Sequence, residues 1–359
     1  MAKAHKSVIG VDLGRFALKS VLLQRRGSGH VTVTNFAARR LDQPLETADQ
    51  LAGELKALFK DMGGTAKSCS VAISHSDSIL RIIEQPETPP ALLREALRLN
   101  GMALLNQDCR EFVIDCDRVA DPLPSAPPAP AEGEAPASAP APVNDNGRKK
   151  YLVGGVPRTH VTQVAEALEV VSAPMHALQL APVCLFNAFE FAHPQIFNEQ
   201  AFFLVDIGHT SSTMMIGAKR ELVLVRSIDF GGKALLDSLM ALSGESREAV
   251  LMALEQEDEV MVENTRMALS VLTREVGSSI GFFEGRREEM IGRVYVSGGA
   301  AKSTTLLKVM SEEIHMPCSA WNPTETCEIN VAAGKRGAFV THALDLHVAC
   351  GAAAELLNA

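Results

Sequence analysis

The sequence predicts an α/β protein of about two domains. Three observations carry this. Apolar strand-length runs alternate with amphipathic helical stretches along most of the 359 residues. An apolar strand ending in Asp-x-Gly, followed by a tight turn and another strand, occurs twice: VIGVDLGRFALKSVLL at 8–23 and, about 195 residues on, FFLVDIGHTSSTMMI at 202–216. A further strand, 293–297, ends in Gly298-Gly299 and leads into a helix over 304–314.

In order along the chain, 7–13 and 19–24 read as strands joined by a short glycine-containing turn, and 31–39 follows as a third. Residues 47–62 have helical spacing, with Leu51, Leu55, Leu58 and Phe59 on one face. Strands are expected at 70–74 and 79–84. Pro89-Pro90 suits the entry of an amphipathic helix over 92–105. Strands at 111–119 and 150–156 flank an unusual tract, 121–147 (DPLPSAPPAPAEGEAPASAPAPVNDNG), with eight prolines, four acids and no Lys or Arg. Such a composition cannot bury enough apolar surface to offset its ordering entropy, so it is expected to be disordered. The strand-like flanks favour an inflated loop between neighbouring strands over a domain linker, because loop length costs little once the ends are held. A helix over 160–171 comes next. The opening pattern then returns with strands at 201–207, 214–216 and 222–226. Helices are expected at 233–242, 247–254 and 261–284, and an Ala-rich helix ends the chain.

Composition narrows the function classes. Hydrophobic residues make up 47% and charged residues 21%, as in soluble globular proteins. The net charge of −9 argues against nucleic acid as the main partner. No apolar run reaches the length of a membrane span, and the start, MAKAHKSVIGVDLG, lacks the apolar core of a signal peptide. Seven widely spaced cysteines without a CxxC suggest buried thiols in a reducing compartment. The ten histidines form no HExxH-like pattern, so a metal cage made by protein alone is not expected.

The repeated turns carry the chemistry. Each brings backbone N–H groups toward one point, which suits a phosphate, and Gly14 and Gly208 allow close backbone approach. Asp12 and Asp206, at strand ends, are candidates for holding Mg²⁺ directly or through water. Lys19 can reach a phosphate, as can the hydroxyls of Thr210 and Ser211. A single Asp-x-Gly is usually only turn chemistry; two copies with matching flanks point further. The third element, VYVSGGAAKSTTL at 294–306, places Gly298, Gly299 and Ala300 where a flat ring or sugar could lie against backbone, beside a helix N-terminus. It is not a P-loop, because no glycine precedes Lys302. The acidic run 257–259 and the charged run 286–289 read as solvated surface, and His209 as a satisfied loop histidine.

Together these three segments resemble the phosphate-1, phosphate-2 and adenosine motifs of the actin, Hsp70 and sugar-kinase superfamily. Within it, the chain resembles the PilM-like proteins of type IV pilus assembly, and next the division protein FtsA. The resemblance runs through GVDLG…LK (10–19), ILRIIEQPETPPALLREAL (79–97), EFVIDCDRV (111–119), VDIGHTSSTMMI…LVRSIDFGG (205–232), SGGAAK and the later WNP (321–323). It implies a two-lobed actin-like ATPase (ribonuclease H-like) fold with an inserted small α+β subdomain. The expected divisions are 1–75 and 173–330 for the two lobes, 76–172 for the insertion and 331–359 for a helical return to the first lobe. It implies ATP and Mg²⁺ as ligands, with Gly231 and Gly232 beside the second phosphate turn and Glu275 on the helix that meets the ribose. It also implies a cytoplasmic scaffold that takes the cytoplasmic N-terminal peptide of a PilN-like inner-membrane protein and reaches the membrane only through it. Self-association is left open.

The chain departs from the family pattern at Arg15 and Phe16, where small hydroxyl residues are usual, at His209 and near Leu235; Arg15 is a candidate to supply charge to a phosphate in place of the lost hydroxyl contact. These departures argue for slow hydrolysis at most, with no assigned catalytic residue. The sequence admits three other readings. A superfamily small-molecule kinase needs a base for the acceptor hydroxyl, and no glycine-flanked Asp offers itself. An FtsA-like membrane-tethered filament protein ends in a basic amphipathic helix, whereas the tail from Ala343 has no Lys or Arg. A scaffold that has lost nucleotide is favoured by Arg15 and Phe16.

Overall fold

The computed structural model describes residues 5–27, 29–64, 69–119, 147–256, 259–287 and 289–358. Apart from Gly147, the Pro/Ala-rich tract expected to be a disordered loop lies outside the described residues.

Strands β1 (Ser7–Leu13), β2 (Ala17–Arg26) and β3 (His30–Arg40) form an antiparallel meander. Helix α1 (Ala48–Asp61) follows, its start fixed by Thr47 and Gln50 in a reciprocal capping box. It leads to β4 (Cys69–Ile73), parallel to β1. Next come β5 (Ile79–Pro86), α2 (Pro90–Leu105), β6 (Phe112–Arg118), β7 (Arg148–Pro157) and α3 (Arg158–Val170). Strand β8 (Met175–Leu180) lies parallel to β4 and runs straight into α4 (Ala181–Ala192) and the short α5 (Pro194–Glu199).

The second half starts with the meander β9 (Ala201–Ile207), β10 (Ser212–Ala218) and β11 (Glu221–Ile228). Helices α6 (Gly232–Ser243), α7 (Arg247–Gln256) and α8 (Glu259–Arg287) follow. Strand β12 (Val294–Ser297) is parallel to β9; after α9 (Thr304–Ile314), β13 (Cys318–Ala320) is parallel to β12. The chain then adds β14 (Glu328–Ile329) to the far edge of the first sheet and closes with α10 (Arg336–His342) and α11 (His347–Asn358).

The first sheet has the order β14-β3-β2-β1-β4-β8 and the second β11-β10-β9-β12-β13. Apart from β14, the two share one plan: an antiparallel meander, whose first strand then pairs in parallel with the first of two later strands. The repeat visible in the sequence is therefore the seed of two topologically equivalent lobes. β1 and β9 are buried on both faces, which is why they read as continuous apolar runs rather than alternating ones.

Helices α4 and α11 lie together against the first sheet and approach each other and the sheet very closely. A Cβ on Gly351 would stand 1.7 Å from the Cys184 carbonyl oxygen, and one on Gly10 would stand 1.9 Å from that of Ala349. Ala72, Ala181, Cys184 and Ala352 fill the same seam. Small residues here set the separation of the packed backbones.

A third sheet, β5-β7-β6, belongs to the inserted segment. β6 and β7 are antiparallel neighbours from Phe112↔Pro157 to Arg118↔Tyr151. α3 packs on α1 through Val164, Ala167 and Leu168, which share a core with Leu51, Leu55 and Leu58. On the other side, Ile82 and Leu152 pack against Phe189 of α4 and against Phe202 and Leu222 of the second lobe. Glu221, 2% exposed, takes Lys150 from β7 at 2.7 Å and Arg287 from α8 at 2.7 Å. Burial opposes its charge, but the hydrogen bonds from Arg287 and Lys150 hold its carboxyl below the ordinary range. The insertion thus touches both lobes.

All seven cysteines are free, and five are buried. Burial pushes the Cys69 thiol up to about 12, so it is a core residue rather than a nucleophile. Among the described residues no helix is long and apolar enough to cross a membrane.

Candidate functional site

The two Asp-x-Gly turns come together between the lobes. Asp12 and Lys19 face each other across the β1–β2 hairpin, and Asp206 and Thr213 do so across β9–β10. A Cβ on Gly14 would stand 2.7 Å from the Ala17 carbonyl oxygen, and one on Gly208 would stand 2.7 Å from that of Ser211. The two turns therefore need glycine for the same steric reason. The second turn is also strapped to α6: the Gly232 and Lys233 N–H groups donate to the carbonyls of Gly208 (2.8 Å) and His209 (2.9 Å). A Cβ on Gly231 would sit 2.7 Å from both of those oxygens.

The Gly-Gly pair divides its labour. Gly298 has φ +87° and lies so close to β9 that a Cβ would stand 2.2 Å from the Ile207 oxygen. It is required by this approach. Gly299 is exposed, with open space where its Cβ would be, and begins a 3₁₀ turn, Gly299–Lys302, that includes Ala300. Gly299 is the member of the pair left accessible to a ligand.

Charges gather on the floor of the cleft. Lys19 Nζ lies 3.2 Å from Asp12 Oδ2 in a largely buried ion pair. Asp206 Oδ1 accepts the Ser297 hydroxyl at 2.7 Å, as the direct register Ser297↔Asp206 permits. Burial would lower the Lys19 pKa, but Asp12, Asp206 and Asp345 outweigh it and hold the ammonium above its ordinary range. Desolvation pushes the Asp206 carboxyl up; the Ser297 bond and Lys19 oppose this, and Asp12 adds to it. Asp345, just before α11, takes Lys302 at 2.6 Å and His342 at 3.0 Å, tying the Gly-Gly loop to the C-terminal segment.

Among the described residues, no group of three or more His, Cys, Asp or Glu side chains could hold a metal. The two carboxylates at the ends of β1 and β9 are Asp12 and Asp206. Such a set fits Mg²⁺ held jointly by one or two carboxylates, water and phosphate oxygens.

Asp12, Gly14, Lys19, Asp206, Gly208, Gly231, Gly232, Gly298 and Gly299 are thus drawn together by the two turns, β12 and the start of α6. Arg15, Thr210 and Ser211 are exposed on the turns. Glu275 is set apart. It is half-buried on α8, where its carbonyl takes the Ser279 hydroxyl at 2.8 Å, and among the described residues its side chain has no hydrogen bond or ion pair to the turns.

Sequence reasoning overlooked Ser297, whose place directly before Gly-Gly was a usable signal, and Asp345, which had none. It also overlooked a contact across the cleft. Phe16 and His209 stack with ring centroids 4.8 Å apart and planes at 22°, and the Arg40 guanidinium carbon lies 4.7 Å from the Phe16 ring centre. Burial holds His209 below its ordinary pKa, helped by Arg247, Lys233 and Arg40 and opposed by Asp237.

Comparison with known proteins bears on this architecture. A solved structure titled "PilM-PilN type IV pilus biogenesis complex" superposes with a TM-score of 0.76 at 20% identity, covering 99% of both chains. The ethanolamine utilization protein EutJ from Carboxydothermus hydrogenoformans superposes with a TM-score of 0.50 at 11% identity, covering 99% of this chain and 90% of that one. The fold is that of the actin-like ATPases. No curated protein matches the chain in sequence. The model of the family described as "Type IV pilus assembly protein PilM" matches residues 157–356, more than half of the chain. The chain therefore belongs to the PilM family of type IV pilus assembly proteins.

Proposed function

We propose that the protein is an ATP-binding scaffold of type IV pilus assembly, located in the cytoplasm. In this reading nucleotide occupies the cleft between the lobes, and a PilN-like inner-membrane protein is recruited through its cytoplasmic N-terminal peptide. The observation that carries the nucleotide part is the pair of equivalent glycine turns meeting over Asp12, Lys19 and Asp206. Backbone N–H groups of both turns and the Thr210 and Ser211 hydroxyls would meet phosphate oxygens, Lys19 would supply positive charge, and Gly299 and Ala300 would border the nucleoside. Asp12 and Asp206 would hold Mg²⁺, which supplies charge neutralisation to the phosphates when bound. The partner part rests on family membership and on the structural similarity to a PilM–PilN complex. Membrane association is indirect in this reading.

Turnover is slow at most. Fast hydrolysis needs a group that orients or deprotonates water in line with the terminal phosphate. Asp12 is already paired with Lys19, and Asp206 with Ser297. Calorimetry tests the reading: Mg²⁺-ATP binds the wild type, and Asp12→Ala and Asp206→Ala each weaken it by about 1–3 kcal/mol. Absence of binding to the folded wild type would leave a scaffold without nucleotide.

A further inference from the structure

The stack of Phe16 on His209 is a contact between the lobes at the place where the two phosphate turns face each other. Phe16 lies within the first turn, between β1 and β2, and His209 lies within the second, between β9 and β10. Their centroids are 4.8 Å apart with nearly parallel planes, and Arg40, at the end of β3, adds its guanidinium to the Phe16 ring. Both side chains are half-buried.

This arrangement has a steric and a chemical consequence. Two rings in van der Waals contact leave no room for a tetrahedral phosphate between them. Phe16 also offers no hydrogen-bond donor, so the first turn can meet an anion there only through backbone N–H groups or the exposed Arg15. The hydroxyls of Thr210 and Ser211 all lie on the second turn. The ammonium of Lys19 is held on the floor with Asp12. The fully formed recognition groups therefore lie on the floor and the second turn, and the space directly between the turns is taken by rings.

We propose that the Phe16–His209 pair sets the length of polyphosphate that the cleft accepts. With the rings together it takes a nucleoside diphosphate; the terminal phosphate of a triphosphate enters only when the pair parts. Arg40, which lies against the Phe16 ring, then has an anion to meet. A triphosphate must offset the lost stack, and its apparent affinity falls by the fraction of molecules in which the pair is open. This inference rests on the nucleotide reading above and adds a specificity residue to it.

The test is parallel calorimetry with Mg²⁺-ADP and Mg²⁺-ATP on the full chain, with thermal melting to establish that each variant is folded. The wild type binds ADP at least as tightly as ATP. Phe16→Ser raises ATP affinity about three- to tenfold, the equivalent of one aromatic stack, and leaves ADP affinity within about twofold. His209→Ser gives a similar gain, and the double variant gains little more, because both changes remove one contact. ATP bound tenfold more tightly than ADP by the wild type, with Phe16→Ser altering neither, overturns the inference and leaves the nucleotide reading standing. Equal gains for both nucleotides do the same. No binding of either nucleotide to wild type or variants overturns the nucleotide reading itself, and this inference with it.

Discussion

His347 shows how one buried side chain can make stability depend on pH. It is 3% exposed, its Nε2–H donates to the Trp321 carbonyl at 2.8 Å, and its ring meets the indole at 4.3 Å between centroids. Burial pushes its pKa down to about 4, against the Trp321 hydrogen bond. A histidine depressed in the folded state takes up protons more readily when unfolded. Its contribution is fully present above the unfolded pKa of about 6.5 and is lost as pH falls toward 4. From pH 7 to pH 5 the loss from this residue should be about 2 kcal/mol. Urea midpoints at the two pH values check this: His347→Gln should show a smaller drop than the wild type. An equal drop in both proteins would place the pH dependence elsewhere. At the same scale, Gly298 warns against reading a glycine as ligand chemistry alone, since the Ile207 carbonyl already demands it.

Among the elements, β6 and β7 were legible as strands despite the tract that separates them. Their register runs unbroken to Arg118↔Tyr151, and the Val119 N–H still donates to the Lys150 carbonyl at 2.9 Å. The hairpin ends are thus held by the sheet itself. Replacing the tract 121–147 by a short Gly/Ser turn should leave the melting temperature within a few degrees of wild type, because shortening a loop between fixed ends changes closure entropy only slightly. A fall of many degrees would show that the tract is structural. Other elements escaped the sequence for physical reasons. The face of α4 is apolar almost all round (APVCLFNAFEFA), so no 3.6-residue stripe marks it. β8 runs directly into it with no turn residues between. β13 and β14 span only three and two residues, too short for any periodicity. The glycine turns were legible because their steric requirement is local. The Phe16–His209 stack and the Asp345 cluster were not, because each joins residues far apart in the chain.

At the scale of the molecule, two equivalent lobes face each other across the cleft, where Phe16 meets His209, and the insertion is tied to the first lobe through α3 and to the second through the Lys150–Glu221 ion pair. A change in how the lobes close around the cleft would therefore be felt by the inserted sheet. In the function proposed above, nucleotide would select a conformation rather than be turned over quickly. Steady-state phosphate release from the isolated protein should fall below the common enzyme range of roughly 1–10³ s⁻¹; turnover of tens per second would favour a kinase or motor instead. We propose that the nucleotide and the partner peptide of that function are thermodynamically coupled. It is tested most directly by titrating the cytoplasmic N-terminal peptide of a PilN-like protein into the full chain with and without saturating Mg²⁺-ATP. The account predicts that nucleotide changes peptide affinity about 5- to 150-fold, and that peptide changes nucleotide affinity by the same factor. Peptide affinity that is identical in the two titrations, with ATP shown to be bound, would contradict it.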